Sequence, residues 1–312
     1  MLIRTMIFVL TSLVLAATAA AQDQSYTPSD ITQVVMLGTG TPNLDPDRKG
    51  PSVAVVVNER PYIVEFGDGL VRQANVAFRK GIKGFPGWRP DYLDIAFLTH
   101  LHSDHTLGYD DLILTPWVLR REQPLEVYGP RGLQRMTDNL LEAFREDIAN
   151  RIYGAQPANG TGWQVNVHEI PAGEPGVIYQ DDNVKVEAFL VNHETWPGAY
   201  GYKFTTPDRV VVISGDTTYS ENLIKHAQGA DILVHEIYSE EFAQKLPPEW
   251  LYYHTHAHTS PKQLAEVAKQ VQPKLLVLTH MLFFGQSEEG LLKEVTDHYD
   301  GKVVLPNDLD VF

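Results

Sequence analysis

Short apolar runs separated by turn residues recur along the whole chain, and such runs are typical of buried strands. In the first half, the predicted strands cover residues 32–37, 52–57, 61–65, 94–98 and 125–128. In the second half, they cover residues 165–170, 177–179, 184–191, 201–205, 209–214, 232–236, 275–279 and 302–305. Residues 154–162, between the halves, are rich in glycine, proline and asparagine, which indicates a loop and the best candidate for a seam.

Helical periodicity appears between these strands. The clearest case begins after Pro130 and places five apolar residues on one helix face, namely Leu133, Met136, Leu140, Phe144 and Ile148. Other predicted helices cover residues 67–79, part of 108–119, 221–228, 261–270 and 287–299. The long segment 237–259 carries no predicted element. Strands and helices therefore alternate twice in a similar order, which indicates an α/β protein.

The first 21 residues differ in composition from the rest. Arg4 is their only charge, residues 6–17 are almost entirely apolar, and Ala19-Ala20-Ala21 offers an A-x-A cleavage site. This pattern predicts a secretory signal peptide, with a retained membrane anchor as the alternative. The apolar run is short for a membrane span, so we predict no stable membrane insertion. We therefore expect a periplasmic or secreted protein with one domain over residues 22–312.

The chain is acidic and contains no cysteine. Its net charge of −15 at pH 7 becomes −16 when Arg4 leaves with the signal peptide. Such a charge lacks the positive footprint of a nucleic-acid binder, so we predict no nucleic-acid partner. The absence of cysteine excludes disulfides and thiolate ligands. Any metal must therefore be held by histidine, aspartate or glutamate.

Four potential metal ligands lie within six residues directly after the predicted strand 94–98. They form an H-x-H-x-D-H pattern of His100, His102, Asp104 and His105. Imidazoles and a carboxylate suit a borderline cation such as Zn²⁺. Side chains so close in sequence point in different directions, so two adjacent ions could use all four more easily than one. A polar loop that collects histidines by chance is the alternative.

Three further residues occupy the ends of predicted strands. His193 follows strand 184–191, Asp216 follows strand 209–214, and His280 follows strand 275–279. Residues at the ends of buried strands converge on one edge of a sheet, where α/β proteins usually place their sites. Each also has a structural alternative, since Asp216 could be a helix N-cap and the histidines could be ordinary strand residues.

Taken together in this order, the motifs resemble the metallo-β-lactamase fold. Within it, they resemble the tRNase Z-like branch, which includes arylsulfatase-type and phosphodiesterase-type members. The motifs are Leu37 to Pro42, Thr99 to His105, Val191 to His193, Ser214 to Thr217, His258 to Ser260, and Leu278 to His280. The resemblance implies an αββα sandwich of two similar halves. It does not identify the substrate, because a fold does not determine a function.

The resemblance also implies two metal ions, normally zinc although other divalent ions are compatible. It assigns His100, His102 and His193 to the first ion, Asp104, His105 and His280 to the second, and Asp216 to a bridge between them. Two such ions about 3.5–4 Å apart would share a hydroxide and lower its pKa towards about 7. That hydroxide is the expected nucleophile, and Asp104 counts among the expected catalytic residues.

A general acid is implied by the same resemblance. In this branch, a glutamate after a strand pairs with the histidine of an H-[ST]-[ST]-like motif to protonate the leaving group. Glu236 and His258 match those positions, and a histidine–carboxylate pair is suited to this work. Structural capping is the alternative role. His254 and His256 could form an accessory metal site, but a solvated loop is the favoured interpretation.

The substrate class is narrowed by an expected insertion that the chain lacks. In this branch, the arm that grips tRNA lies between the counterparts of His193 and Asp216, which here are only 23 positions apart. We therefore expect hydrolysis of a small sulfate or phosphate ester, with arylsulfatase-like activity favoured. The alternatives are a lactonase and a phosphodiesterase acting on nucleotide-like or organophosphate esters. A non-enzymatic binding protein would have lost ligands, and none is missing.

Aromatic residues in predicted loops are candidates for stacking on an aryl or base group of the substrate. Core packing is the alternative for each of them. They are Trp88, Trp117, Trp196, Trp250, Tyr252 and Tyr253. A homodimer is also compatible with the resemblance, because dimers are common in this branch.

Overall fold

Two sheets organise the part of the chain that the computed structural model describes, residues 29–312 without residue 174. The predicted signal peptide at residues 1–21 lies outside the described residues. Among the described residues, no helix is both long enough and apolar enough to cross a bilayer.

The first sheet contains six strands in chain order. Strands β1 to β3 pair antiparallel, and strands β3 to β6 pair parallel. Their bounds are β1 Thr32–Gly38, β2 Ser52–Val57, β3 Arg60–Val64, β4 Ile95–Phe97, β5 Leu125–Gly129 and β6 Val165–Glu169.

The second sheet repeats this scheme with seven strands. Strands β7 to β10 pair antiparallel, and strands β10 to β13 pair parallel. Their bounds are β7 Gly176–Gln180, β8 Lys185–Val191, β9 Ala199–Thr205, β10 Val210–Ile213, β11 Ile232–Tyr238, β12 Leu275–Leu282 and β13 Val303–Val304.

The helices of the first half are α1 Leu70–Arg79, α2 Tyr109–Val118, α3 Leu133–Ala143 and α4 Arg145–Tyr153. Those of the second half are α5 Glu221–His226, α6 Glu240–Ala243, α7 Pro248–Ala257, α8 Pro261–Val271 and α9 Glu288–Thr296. Short 3-10 turns lie at Pro90–Tyr92 and Ser103–His105.

Alternation along the strands creates three apolar layers. In β1, Val34 and Met36 face the second sheet, whereas Val35 and Leu37 face helices α1 and α2. A third cluster joins the outer face of the second sheet to α5, α8 and α9. Strands of sheets covered on both faces are buried along their whole length, as β2, β11 and β12 are. The expected αββα sandwich of two similar halves is thereby confirmed.

Two predicted elements differ from the structure. The single helix expected after Pro130 is broken at Phe144 into α3 and α4. Because the spacing of apolar residues continues across the break, the hydrophobic pattern could not reveal it. The segment 237–259, which carried no predicted element, contains α6 and α7. Its chain signals are caps rather than periodicity, with Ser239 before α6 and Pro248 at the first position of α7.

Candidate metal centre

The strand ends that carry the predicted ligands meet where the two sheets approach each other. Gly215, between β10 and Asp216, has a φ of +62°, and a Cβ there would lie 2.9 Å from Thr99. Only glycine therefore allows this close approach. The Tyr200 N–H donates to the Thr99 carbonyl at 3.1 Å, which ties β9 to the residue before His100. The two halves are thus joined beside the predicted site.

Three histidines form the first cluster. His100 Nε2 lies 3.0 Å from His102 Nδ1, and His193 Nε2 lies 3.1 Å from the same atom. The outward ring nitrogens have partners of their own, because His193 Nδ1 lies 2.8 Å from the Ala257 carbonyl and His100 Nδ1 lies 2.9 Å from Thr99 Oγ1. A donor on that side leaves the inward nitrogen of His193 as a lone pair for a metal.

The second cluster contains Asp104, His105 and His280. Asp104 Oδ2 lies 3.1 Å from His280 Nε2 and 3.3 Å from His105 Nε2. Asp216 Oδ2 reaches both clusters, at 3.3 Å from His105 Nε2, 3.5 Å from His280 Nε2 and 3.9 Å from His100 Nε2. The structure therefore brings all seven predicted ligands together and places Asp216 between the two groups.

Burial determines the protonation of the first cluster. Burial, with a contribution from His105, lowers the pKa of His100 well below its usual value. Burial and the neighbouring His193 lower the pKa of His102 to about 4. Burial likewise lowers the pKa of His193. These imidazoles are neutral at pH 7, which is the form that binds metal.

Carboxylates dominate the second cluster. Burial opposes a charged imidazole, but Asp216, Glu65 and Asp104 together raise the pKa of His105 well above its usual value. Burial also disfavours the Asp216 carboxylate, yet His280 and His105 hold its pKa well below the ordinary value. This centre therefore has an excess of negative charge that only protonated imidazoles or a cation can balance.

The residues fit a divalent cation. Four overlapping groups of histidine and carboxylate atoms within 4.8 Å of one another could hold an ion, and together they contain all seven predicted ligands. His105 Nε2 is buried without a hydrogen-bond partner although it lies 3.3 Å from two carboxylate oxygens. A cation between them would satisfy that nitrogen, release the proton from His105 and neutralise the carboxylates.

Glu65 is a member of the site that the sequence reasoning missed. It follows β3, and its carboxylate lies 3.3 Å from His105 Nδ1 and accepts a hydrogen bond from Thr99 Oγ1. A carboxylate in this position orients a metal-binding histidine. The sequence offers one weak signal, a charged residue at the end of an apolar strand, and the structure shows that Glu65 is only 5% exposed.

Glu236 and His258 lie together beside the clusters, as predicted. Glu236 Oε1 accepts hydrogen bonds from the Thr259 N–H at 2.9 Å and the Thr217 N–H at 3.2 Å. Its other oxygen, Oε2, lies 3.4 Å from His258 Nδ1. Two backbone donors thus fix the carboxylate while it faces the ring. Burial, with help from Asp216, raises the pKa of Glu236 well above its usual value, and burial lowers that of His258 to about 4.

A cavity of about 850 Å³ opens directly over the centre. Its floor includes His102, Asp104, Asp216, His258 and His280. Its walls are largely apolar, from Pro42 of the glycine-rich turn, Trp250 and Tyr253 of α7, and Leu282 and Phe284. Ligand sites commonly combine such apolar walls with a few converging polar groups.

The predicted aromatic residues separate into three groups. Trp250 and Tyr253 line this cavity, and the Trp196 ring lies 4.6 Å from that of His102. Trp117 is buried in the first half and Trp88 lines a different depression. Tyr252 is exposed and stacks on His256 at 4.0 Å.

The prediction of a solvated loop around His254 and His256 is wrong, because both residues lie on helix α7. Residues two apart on a helix point to different sides. His254 accordingly faces the cavity, 5.5 Å ring to ring from His258, whereas His256 is exposed. Among the described residues, no metal-capable group includes either one.

The chain is similar in sequence and in fold to known proteins. A family model described as the Beta-lactamase superfamily domain matches residues 69–281. A protein named Ribonuclease Z from Mycobacterium bovis is 31% identical over 284 residues, which cover 89% of this chain and 96% of that protein.

Two solved structures share the fold at lower identity. A metallo-beta-lactamase fold protein, YhfI, from Bacillus subtilis has a TM-score of 0.67 and 17% identity, covering 91% of this chain and 99% of that one. Human tRNase Z, short form, has a TM-score of 0.64 and 23% identity, covering 90% and 98%. At these identities the likeness concerns the fold alone.

These relatives correct two predictions. The arylsulfatase-like assignment and the exclusion of a nucleic-acid partner are both wrong, because the curated relatives are named as ribonucleases. The error had a physical cause: net charge is a sum over the whole molecule and does not report the charge of one groove. The expected location outside the cytoplasm gains no support from these relatives.

Proposed function

We propose that this chain, a metal-dependent hydrolase that belongs to the metallo-β-lactamase superfamily, hydrolyses phosphodiester bonds of RNA. The observation that carries the proposal is the union of seven ligands and the Glu236–His258 pair beneath one cavity, whose lining includes His102, Asp104, Asp216, His258 and His280. The ribonuclease name of relatives with about a third of their residues identical supports RNA as the substrate.

The proposed metal ligands are those of the sequence prediction. His100, His102 and His193 hold one ion, Asp104, His105 and His280 hold the other, and Asp216 is shared. Zinc is the proposed metal, since nitrogen and carboxylate donors suit it. When bound, such ions polarise phosphoryl oxygens and lower the pKa of water.

The chain's own residues perform the proton transfer. Hydrolysis joins the oxygen of water to phosphorus and breaks one phosphorus–oxygen bond, and the departing oxygen needs a proton. His258 lines the cavity while its Nδ1 faces Glu236, so Nε2 is the nitrogen that can meet the leaving oxygen. Glu236 Oε2 faces Nδ1 and holds the ring in place. The apolar walls with Trp250 and Tyr253 accommodate a base.

The first test substitutes the proposed acid. With a transfer RNA precursor as substrate, His258→Ala should lower kcat by roughly 100- to 10,000-fold, because an alkoxide leaving group needs protonation. With bis(4-nitrophenyl) phosphate the loss should be at least tenfold smaller, since nitrophenolate leaves without a proton. Metal content, measured by atomic absorption, should stay at the wild-type value.

The matched control is His256→Ala, which removes an exposed histidine two positions before His258, on α7. It should keep wild-type rates on both substrates. Absence of RNA cleavage by the metal-loaded wild-type protein would refute the proposed function. Equal losses on both substrates, accompanied by loss of metal, would show that His258 is a ligand rather than an acid.

A further inference from the structure

A second groove lies on the other side of the histidine motif. It has a volume of about 660 Å³ and is lined by Leu101, by Arg131 before α3 and Arg135 in its first turn, and by Trp196. Leu101 directly precedes His102, which lines the catalytic cavity. One stretch of backbone therefore separates the two depressions, and successive Cα atoms are only about 3.8 Å apart. We refer to this second depression as the arginine groove.

The walls of the arginine groove are anchored to the metal centre. The Trp196 ring lies 4.6 Å from the His102 ring, and the backbone N–H of Trp196 donates to the His193 carbonyl at 2.9 Å. Gly132, at the start of α3, comes so close to Leu101 that a Cβ would lie 3.0 Å from its side chain. The groove and the predicted ligands are consequently parts of one packed unit.

The charge of this groove contrasts with that of the molecule. Arg131 and Arg135 are both exposed, and among the described residues neither belongs to an ion pair. Glu169 Oε1, beside this turn, accepts hydrogen bonds from the Gly132 and Gln134 N–H groups at 2.7 and 3.1 Å. Both arginines line the same groove in a chain of net charge −15, so the groove concentrates positive charge on an acidic molecule.

We propose that the arginine groove binds the phosphate backbone of the RNA strand next to the scissile bond. The inference rests on the proposed function and extends it to a substrate-binding surface. Guanidinium groups match phosphate oxygens in a two-pronged geometry, so a pair of them suits two successive phosphates. The strand would run from the apolar cavity over the metal centre into the groove. Positive charge is thus concentrated where a polyanion must enter.

The test compares two double variants with the same change in net charge. Arg131→Gln/Arg135→Gln removes the groove arginines, whereas Arg145→Gln/Arg151→Gln removes two arginines of α4 that pair with Glu142 and Asp147. Binding of a fluorescent, cleavage-resistant phosphorothioate oligoribonucleotide to the metal-loaded protein is followed by anisotropy over a series of salt concentrations.

The groove variant should raise Kd about tenfold. Because each phosphate contact on a single strand contributes about 0.7 to the slope of log K against log salt, its slope should fall by about 1.4. The α4 variant should keep the wild-type Kd and slope. In cleavage assays, the ratio of kcat/KM on RNA to kcat/KM on bis(4-nitrophenyl) phosphate should fall about tenfold for the groove variant alone.

Equal binding by the groove variant and the wild type, or no binding of the oligonucleotide by the wild type, would overturn the proposal. A similar loss in both double variants would do the same, since it would indicate only long-range charge. Binding that depends on the groove arginines, without any cleavage of RNA, would refute the proposed function but support the arginine groove as a binding surface. RNA cleavage that is unchanged in the groove variant would support the proposed function but refute the role of the arginine groove.

Discussion

At the scale of single residues, the site depends on side chains that hold the ligands as much as on the ligands. Glu65 faces His105 Nδ1 at 3.3 Å and also accepts a hydrogen bond from Thr99, whose hydroxyl lies beside His100. One buried carboxylate therefore influences a histidine of each cluster. Its effect on a bound metal is both orientation and charge.

Substitution of this carboxylate gives a first prediction at the residue scale. Glu65→Gln keeps the shape of the side chain but removes its charge, so zinc affinity should fall roughly 10- to 100-fold. Competition with a chromophoric chelator measures this change. Glu59→Gln, at the exposed turn between β2 and β3, is the control and should bind zinc as the wild type does. Unchanged affinity of the Glu65 variant would show that His105 is oriented by other contacts.

The chemistry of single residues was also the feature that the sequence predicted best. Each predicted ligand is a histidine or aspartate at or just after the end of an apolar run, and the structure brings all seven together. Glu65 escaped because a single carboxylate has no spacing pattern of its own. Its role depends on β3 lying beside β4, a neighbour relation that no local motif expresses.

At the scale of elements, helix α2 shows how the fold accommodates a proline inside a helix. Pro116 lies inside this helix and cannot donate a hydrogen bond to the Leu112 carbonyl. Arg121 compensates by donating to the carbonyls of Leu112 at 3.0 Å and Ile113 at 2.8 Å. The same guanidinium also reaches the carbonyls of Leu93 and Gly162, both at 2.9 Å. It therefore joins a helix to two loops.

A prediction at the element scale concerns this guanidinium. Arg121→Lys should destabilise the protein by about 2–4 kcal/mol, because an ammonium cannot reach all four carbonyls and each buried acceptor left unpaired costs about 1–3 kcal/mol. Urea unfolding followed by circular dichroism measures the loss. Arg120→Lys, at the exposed neighbouring position, should change stability by less than about 0.5 kcal/mol. Equal stability of the two variants would contradict the proposed compensation.

Helix α7 illustrates what the hydrophobic pattern could not predict. Most of its side chains face either the cavity or solvent rather than a core, and only His254 and Ala257 are buried. An element without a broad apolar face has no clear 3.6-residue signal. Its position over the centre nevertheless decides which aromatic residues, Trp250 and Tyr253, form the cavity wall.

At the scale of the whole molecule, the metal centre links the two halves. Four of its predicted ligands follow β4, whereas His193 and Asp216 follow β8 and β10 of the second sheet and His280 lies within β12. Bound ions would therefore crosslink the sandwich at one edge. Ligands that bind only the folded state stabilise it in proportion to the logarithm of their concentration.

Metal removal supplies the prediction at this scale. Zinc at a thousandfold excess over its Kd should stabilise the folded protein by about 4 kcal/mol, so chelation should lower Tm measurably. Calorimetry of the chelated and zinc-loaded protein tests this expectation. Asp216→Asn weakens the shared ligand and should show a much smaller shift with the same zinc concentration. A Tm that is independent of zinc in the wild type would mean that the clusters do not hold metal.

The αββα layers were implied by the resemblance of the motifs to a known fold family. The sequence by itself determined most strands and the seven candidate ligands. These features depend on local information, namely the period of apolar residues and the residue types at strand ends. Tertiary structure alone decided that Glu65 supports His105 and that Arg131 and Arg135 share a groove beside His102. Such relations join residues far apart in sequence. A net charge averages over all residues, and a local motif is too short to include both partners. The arginine groove could therefore be identified only from the folded structure.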